Sequence, residues 1–162
     1  MKKRSWPYWL LLLAVLASAS LIFFFSSQSG DASNQSSDVI IHAVISIFYP
    51  DYDTLARGEQ RAIYDHLHYV VRKAAHFSEF ALFGFALRAF LSFHRLKYRA
   101  LLAWAAGTLY AATDELHQFY IGSRTAAVKD ILIDSAGVFF GCLLAWLLLS
   151  VIRKKYRKKS AQ

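Results

Sequence analysis

The stretch from Pro7 to Phe25, PYWLLLLAVLASASLIFFF, carries no charged residue over 19 positions, and it constrains the fold more than any other feature of the chain. A hydrocarbon core of about 30 Å takes about 20 residues of helix to cross, because lipid offers the backbone no hydrogen-bond partners and a helix satisfies its own. Three more stretches have that length: Ala74 to Phe93, Arg99 to Phe119 and Ile131 to Ile152. The first and fourth are nearly free of charge, while the second and third carry ionisable groups toward one end. These stretches predict an all-α fold, an integral membrane bundle of four transmembrane helices at 7–25, 74–93, 99–119 and 131–152. The whole chain, 1–162, reads as a single membrane domain whose first partner is the lipid bilayer, and the expected location is the plasma membrane, multi-pass. The short connections HRLKYR and YIGSRTAAVK make the last three helices antiparallel neighbours in an up-down bundle.

Lys2, Lys3 and Arg4 ahead of the first apolar run, with Ala17-Ser18-Ala19 inside it, imitate a secretory signal. The run continues through Leu21 to Phe25, however, beyond the roughly 7–15 residues of a signal core, so a retained anchor is expected. A net charge of +8 would suggest nucleic acid in a soluble chain, but its distribution argues for topology and against a nucleic-acid partner. Thirteen of the 19 Lys and Arg residues fall in three places: Lys2 to Arg4; Arg88, Arg95, Lys97 and Arg99; and Arg153 to Lys159. None of the 11 acidic residues is there. With four spans these places share one side, and the preference of Lys and Arg for the cytoplasm predicts both termini inside.

The segment between the first two spans, about 26–73, is then extracytoplasmic. SSQSGDASNQSSD is Ser-rich and polar and reads as an exposed loop. Val39, Ile40, Val44, Ile45 and Phe48 recur at helical spacing, which predicts a short helix in the outer interface. After the Pro50-Asp51-Tyr52-Asp53 break, a more polar helical segment from about Glu59 leads into the second span. The tail 153–162 is basic and cytoplasmic. Cys142, the single cysteine, sits in the fourth apolar run and reads as packing. Trp6, Tyr8 and Trp9 read as interface anchors, and His42, His66, His68 and His94 as surface or interface residues.

Ionisable residues inside spans are costly and point to function by default. At a rise of 1.5 Å per residue, Glu79 lies about 8 Å below the outer end of its helix, and Asp114 and Asp134 about 9 Å below theirs. Three helices thus place carboxylates at matching depth on the outer side. Arg72, His76 and Glu79 share one helix face, Asp114, His117 and Gln118 another, and Asp130 and Asp134 a third. These faces are expected to turn inward around one polar, outward-opening cavity, with Arg72, Lys73, Arg124 and Lys129 at its rim. His76, Glu79, Asp114, Glu115, His117 and Asp134 are the candidate catalytic groups, and Arg72, Lys73, Gln118, Arg124 and Asp130 the candidate substrate-binding groups. The spacings H-x-x-E and D-E-x-H differ from the H-E-x-x-H of zinc proteases, so the metal and cofactor requirements stay open.

The strings RKAAHFSEFALFG, YAATDELHQFYIGSRTAAVKDILIDSAGVFFG and, more loosely, FSSQSG resemble the VanZ-like family of bacterial membrane proteins over most of the chain. The resemblance implies a cell-envelope protein related to one linked to teicoplanin resistance. YIGSR departs from the proline that often precedes the glycine in that family, a change confined to the loop.

Three functional readings use these residues. In the enzyme reading, a carboxylate and a histidine activate water or a lipid-linked hydroxyl while Arg72 and Arg124 hold a phosphate or carboxylate. In the binding reading, the cavity captures a lipid-linked envelope precursor or a lipoglycopeptide without chemistry. In the packing reading, Arg72, Glu79, Asp114, Arg124 and Asp134 form an ion-pair and hydrogen-bond network that fixes helix register. A transporter is the weakest alternative, since charge confined to the outer half offers no path across the membrane.

Overall fold

The structure, a computed structural model, describes residues 6–27, 30–120 and 127–159, with the backbone alone described at 30–36 and 157–159. Among the described residues it contains five helices: α1 (Trp6–Ser26), α2 (Gly30–Phe48), α3 (Arg57–Leu91), α4 (Arg99–Tyr120) and α5 (Val128–Lys159), with a 3₁₀ turn at Tyr52–Thr54. No strand occurs among the described residues.

Three of these helices, α1, α3 and α5, are long and apolar enough to cross a membrane. At 22 residues α4 has the length. Its C-terminal half is too polar by composition, but Asp114, Glu115 and Gln118 are buried within the bundle while Leu101, Leu102, Trp104 and Leu109 are exposed. The same outward apolar surface is seen on α1 and on much of α5. On α1, Leu10, Leu13, Leu16, Leu21 and Phe23 to Phe25 are all exposed, and the fully buried side chains are few, led by Phe80, Ile22, Ile41 and Val138.

The axis of the bundle is the pair α3 and α5, which run side by side in the same direction, with α4 returning antiparallel against both. Their contact uses Gly84 of α3, where a Cβ would meet the Val138 backbone, and two glycines of α5 one turn apart. A Cβ at Gly137 would meet the Phe77 carbonyl oxygen, and one at Gly141 would meet the Ala81 carbonyl oxygen and lie 2.7 Å from the Phe85 nitrogen. The run Gly137-Val138-Phe139-Phe140-Gly141 is therefore a small-x-x-x-small seam that lets the backbones touch. Cys142 sits one residue on, its Sγ donating to the Gly84 carbonyl at 3.4 Å. Packing is indeed its role.

α1 runs against α3. Tyr8, near the start of α1, packs on Phe90 and Phe93 at the end of α3, with ring centroids 5.1 and 5.9 Å apart. The far end of α1 meets the end of α4, and Tyr110 Oη donates to the Ala19 carbonyl at 2.7 Å.

The Ser-rich stretch expected to be a loop is a correction: α2 begins at Gly30. Helix formation is cooperative, so once Val39 to Phe48 is helical each added residue costs little, and no proline blocks the extension. Ile41 and Ile45 are buried, whereas Val39, Ile40, Ile47 and Phe48 are exposed. Tyr64 of α3 donates its hydroxyl to Asp38 and fastens the two helices. The turn into α3 is closed by Gln60 Nε2 donating to the Tyr52 carbonyl at 2.9 Å and Tyr52 Oη donating to the Gln60 carbonyl at 3.0 Å.

Candidate functional site

Where α5 begins and α1 and α4 end, midway along α3, six side chains line a cavity with room for about one water molecule: Lys73, His76, Glu115, Gln118, Asp130 and Asp134. Helix spacing supplies the set. Lys73 and His76 are three apart on α3, Glu115 and Gln118 three apart on α4, and Asp130 and Asp134 four apart on α5, so each helix offers two residues to one side.

Lys73 and Asp130 form the mouth, an ion pair of 2.5 Å in which both side chains stay partly exposed. The aromatic ring of Tyr69 lies 5.6 Å from Lys73 Nζ and 5.5 Å from Lys129 Nζ, so it fixes both ammonium groups at the rim through cation–π attraction. Behind the mouth, Glu115 Oε1 accepts the Ala127 N–H at 2.9 Å. A carboxylate just ahead of α5 suits the positive end of that helix and ties α4 to it. Asp134 is 3% exposed, faces the cavity and lies in the electrostatic field of Asp114, Asp130, Glu115 and Lys73.

Asp114 stands one layer deeper, toward α1. Its Oδ2 accepts from Ser26 Oγ and from Gln118 Nε2, each at 2.8 Å, and Gln118 Nε2 lies 3.1 Å from Ser26 Oγ. Three buried polar residues thus close on one another through neutral donors rather than through a cation. The sequence reading passed over Ser26, although it is the first serine of the FSSQSG that ends the first apolar run.

The remaining candidates are placed around this core. Arg72 is half-buried and within electrostatic reach of Asp130 and Glu115. Glu79 is half-buried, outside the cavity lining, and feels the charge of Asp114. His117 turns away from the cavity and packs on Phe23, ring centroids 4.8 Å apart, with its Nδ1 buried and unbonded. Successive helical residues are about 100° apart, so His117 and Gln118 straddle Asp114, and only Gln118 reaches the cavity. Arg124 lies outside the described residues. Among the described residues no three His, Cys, Asp or Glu side chains are grouped to hold a metal ion, so His76, Glu79, Asp114 and His117 do not assemble as ligands there.

A second polar set pins α4 to α5 beside Asp134. Ser135 Oγ lies 2.8 Å from Thr108 Oγ1 and accepts from Trp104 Nε1 at 3.1 Å. No periodic signal marked these three residues, because each looks like ordinary span composition until α5 is laid against α4.

A search of curated proteins found no match, and a search of solved structures found none. A family model described as VanZ/LLP1 matches residues 9–149, which overlaps all four apolar stretches and includes every candidate site residue above. The chain belongs to the VanZ/LLP1 family.

Proposed function

We propose that this is a four-span protein of the plasma membrane, both termini cytoplasmic, in which the mouth of the cavity between α3, α4 and α5 faces outward and meets the polar headgroup of a lipid-linked cell-envelope component. One observation carries the reading. Glu115 and Asp134 are buried and Asp130 is half-buried around a single cavity whose lining contains one cation, Lys73, already paired at the mouth. Buried charge of one sign in a bilayer is expensive unless it meets a partner. A headgroup rich in hydroxyl, amide or amine donors supplies that partner, while its phosphate meets Lys73 and Arg72 at the rim.

α4 supports the four-span topology: its polar residues are turned into the protein, which lets a helix of modest hydropathy lie in lipid. If a bond is broken at the site, His76 and Asp134 are the lining groups suited to move a proton. A contribution to teicoplanin resistance follows as the family's expectation for such a site.

Replacing Asp134 by Asn or Lys73 by Gln, and measuring teicoplanin tolerance together with the amount of protein in the membrane, tests this. Tolerance should fall at unchanged abundance. Loss of tolerance only in proportion to lost protein would show that the cavity serves packing.

A packing role is favoured for one part of the cluster. Ser26, Asp114 and Gln118 satisfy one another across α1 and α4, and we assign them to helix register rather than to ligand contact.

A further inference from the structure

At the other end of the bundle Arg88 of α3 is 7% exposed, and its Nε and Nη1 are enclosed without any hydrogen-bond partner. Among the described residues, the charged groups within its reach are Arg99, at the start of α4, and Arg153 of α5, and the Cys142 thiol is a further neighbour. Arg99 is held in place by donating from Nε to the Leu96 carbonyl at 2.9 Å and from Nη1 to the Ser92 carbonyl at 3.4 Å. His94 Nε2 is likewise buried without a partner, its ring 5.2 Å from Phe90. No acidic residue occurs from 80 to 113 or from 135 to 162, so neither the end of α3, the start of α4 nor the end of α5 contributes a carboxylate here.

A buried guanidinium flanked by two more guanidinium groups lacks the anion that burial requires. The three are graded from exposed Arg153 through half-buried Arg99 to buried Arg88, which is the arrangement of a path leading inward. Arg88 stands three residues before the end of α3, about 5 Å from it, so rotation of its terminal torsions carries the head to the headgroup layer. We propose that Arg88, Arg99 and Arg153 form a phosphate-binding site at this end of the bundle, with the phosphate of an anionic phospholipid or a free phosphate as its ligand. Arginine suits phosphate because its planar donors match the oxygens in direction and charge. The site is separate from the carboxylate cavity, and its existence does not depend on which end of the bundle faces the cytoplasm.

Full-length protein is reconstituted into nanodiscs of phosphatidylcholine, with and without phosphatidylglycerol, and phosphatidylglycerol retained on release is counted by native mass spectrometry. Wild type should retain it in preference to phosphatidylcholine, and Arg88→Gln should weaken that retention about tenfold, the effect of one charge-assisted hydrogen bond. Displacement of the retained lipid by inorganic phosphate would identify free phosphate as the ligand of the same site. Equal retention by wild type and Arg88→Gln, with no effect of inorganic phosphate, would overturn the proposal. Thermal stability of the wild type alone gives a reading independent of the variant's folding. Inorganic phosphate or phosphatidylglycerol should raise the melting temperature above that in chloride of equal ionic strength, and the absence of a rise with either would also overturn it.

Discussion

Replacing Gly141 by Ala adds one carbon, and the structure says where that carbon must go. It would meet the Ala81 carbonyl oxygen and lie 2.7 Å from the Phe85 nitrogen and 2.8 Å from the Ala81 carbonyl carbon. All three atoms belong to the backbone of α3, so no side chain can swing aside. Favourable contacts of this kind lie at about 3.5–4.0 Å, and the two helices must part by about 1 Å. Overpacking of this sort costs about 1–3 kcal/mol. Gly58 provides the internal control, because a Cβ there has nothing within 4 Å. Gly58→Ala relieves the entropic weakness of glycine in a helix and should stabilise by up to about 1 kcal/mol. The same chemical change therefore has opposite signs at two positions of one protein. Thermal unfolding of both variants in nanodiscs, followed by circular dichroism, decides the matter. A Gly141→Ala protein as stable as Gly58→Ala would refute the close approach of α3 and α5. With it would go the placement of Lys73 beside Asp130, since that pair is brought together by the same two helices.

Other consequences are independent of that seam. Ser26→Ala removes one donor from Asp114 and should destabilise by about 1–3 kcal/mol, the cost of leaving a buried acceptor short of a partner, read as a lowered melting temperature. Tyr64→Phe should speed hydrogen exchange across the amides of α2 and leave those of α4 unchanged, because the hydroxyl fastens α2 to α3 at Asp38. A cysteine introduced at exposed Thr54 should react with an impermeant thiol reagent in intact cells, and reaction only after lysis would reverse the topology.

What could be read from the sequence follows the strength of each physical signal. Long apolar runs are hard to mistake: helices hold the first, third and fourth stretches and all but the last two residues of the second, and three of these helices are apolar enough to cross a membrane. The polar approach to the second span, from about Glu59, is the first part of α3, which starts at Arg57. The Ser-rich stretch before Val39 misled because composition measures intrinsic preference, whereas cooperative extension of a neighbouring helix overrides it. For the site, depth and face arguments put Arg72, His76, Glu79, Asp114, His117, Gln118, Asp130 and Asp134 in one neighbourhood; His76, Gln118, Asp130 and Asp134 line the cavity with Lys73 and Glu115, while Arg72, Glu79, Asp114 and His117 are outside its lining. His117 escaped that argument because residues three apart on a helix differ by about 60° in direction, enough to choose a different neighbour. Ser26 and the Gly137–Gly141 seam were invisible for a different reason. Serine and glycine are common in membrane helices, and only a helix laid against them gives them a task.

The most direct test of the outward-facing headgroup site is an experimental structure of the protein taken from its own membrane with lipid retained. Density for a polar headgroup in hydrogen-bond contact with Lys73 and Asp130, reaching toward Asp134 between α3, α4 and α5, is the result predicted. A cavity holding only solvent, with every bound headgroup elsewhere on the bundle, would contradict it.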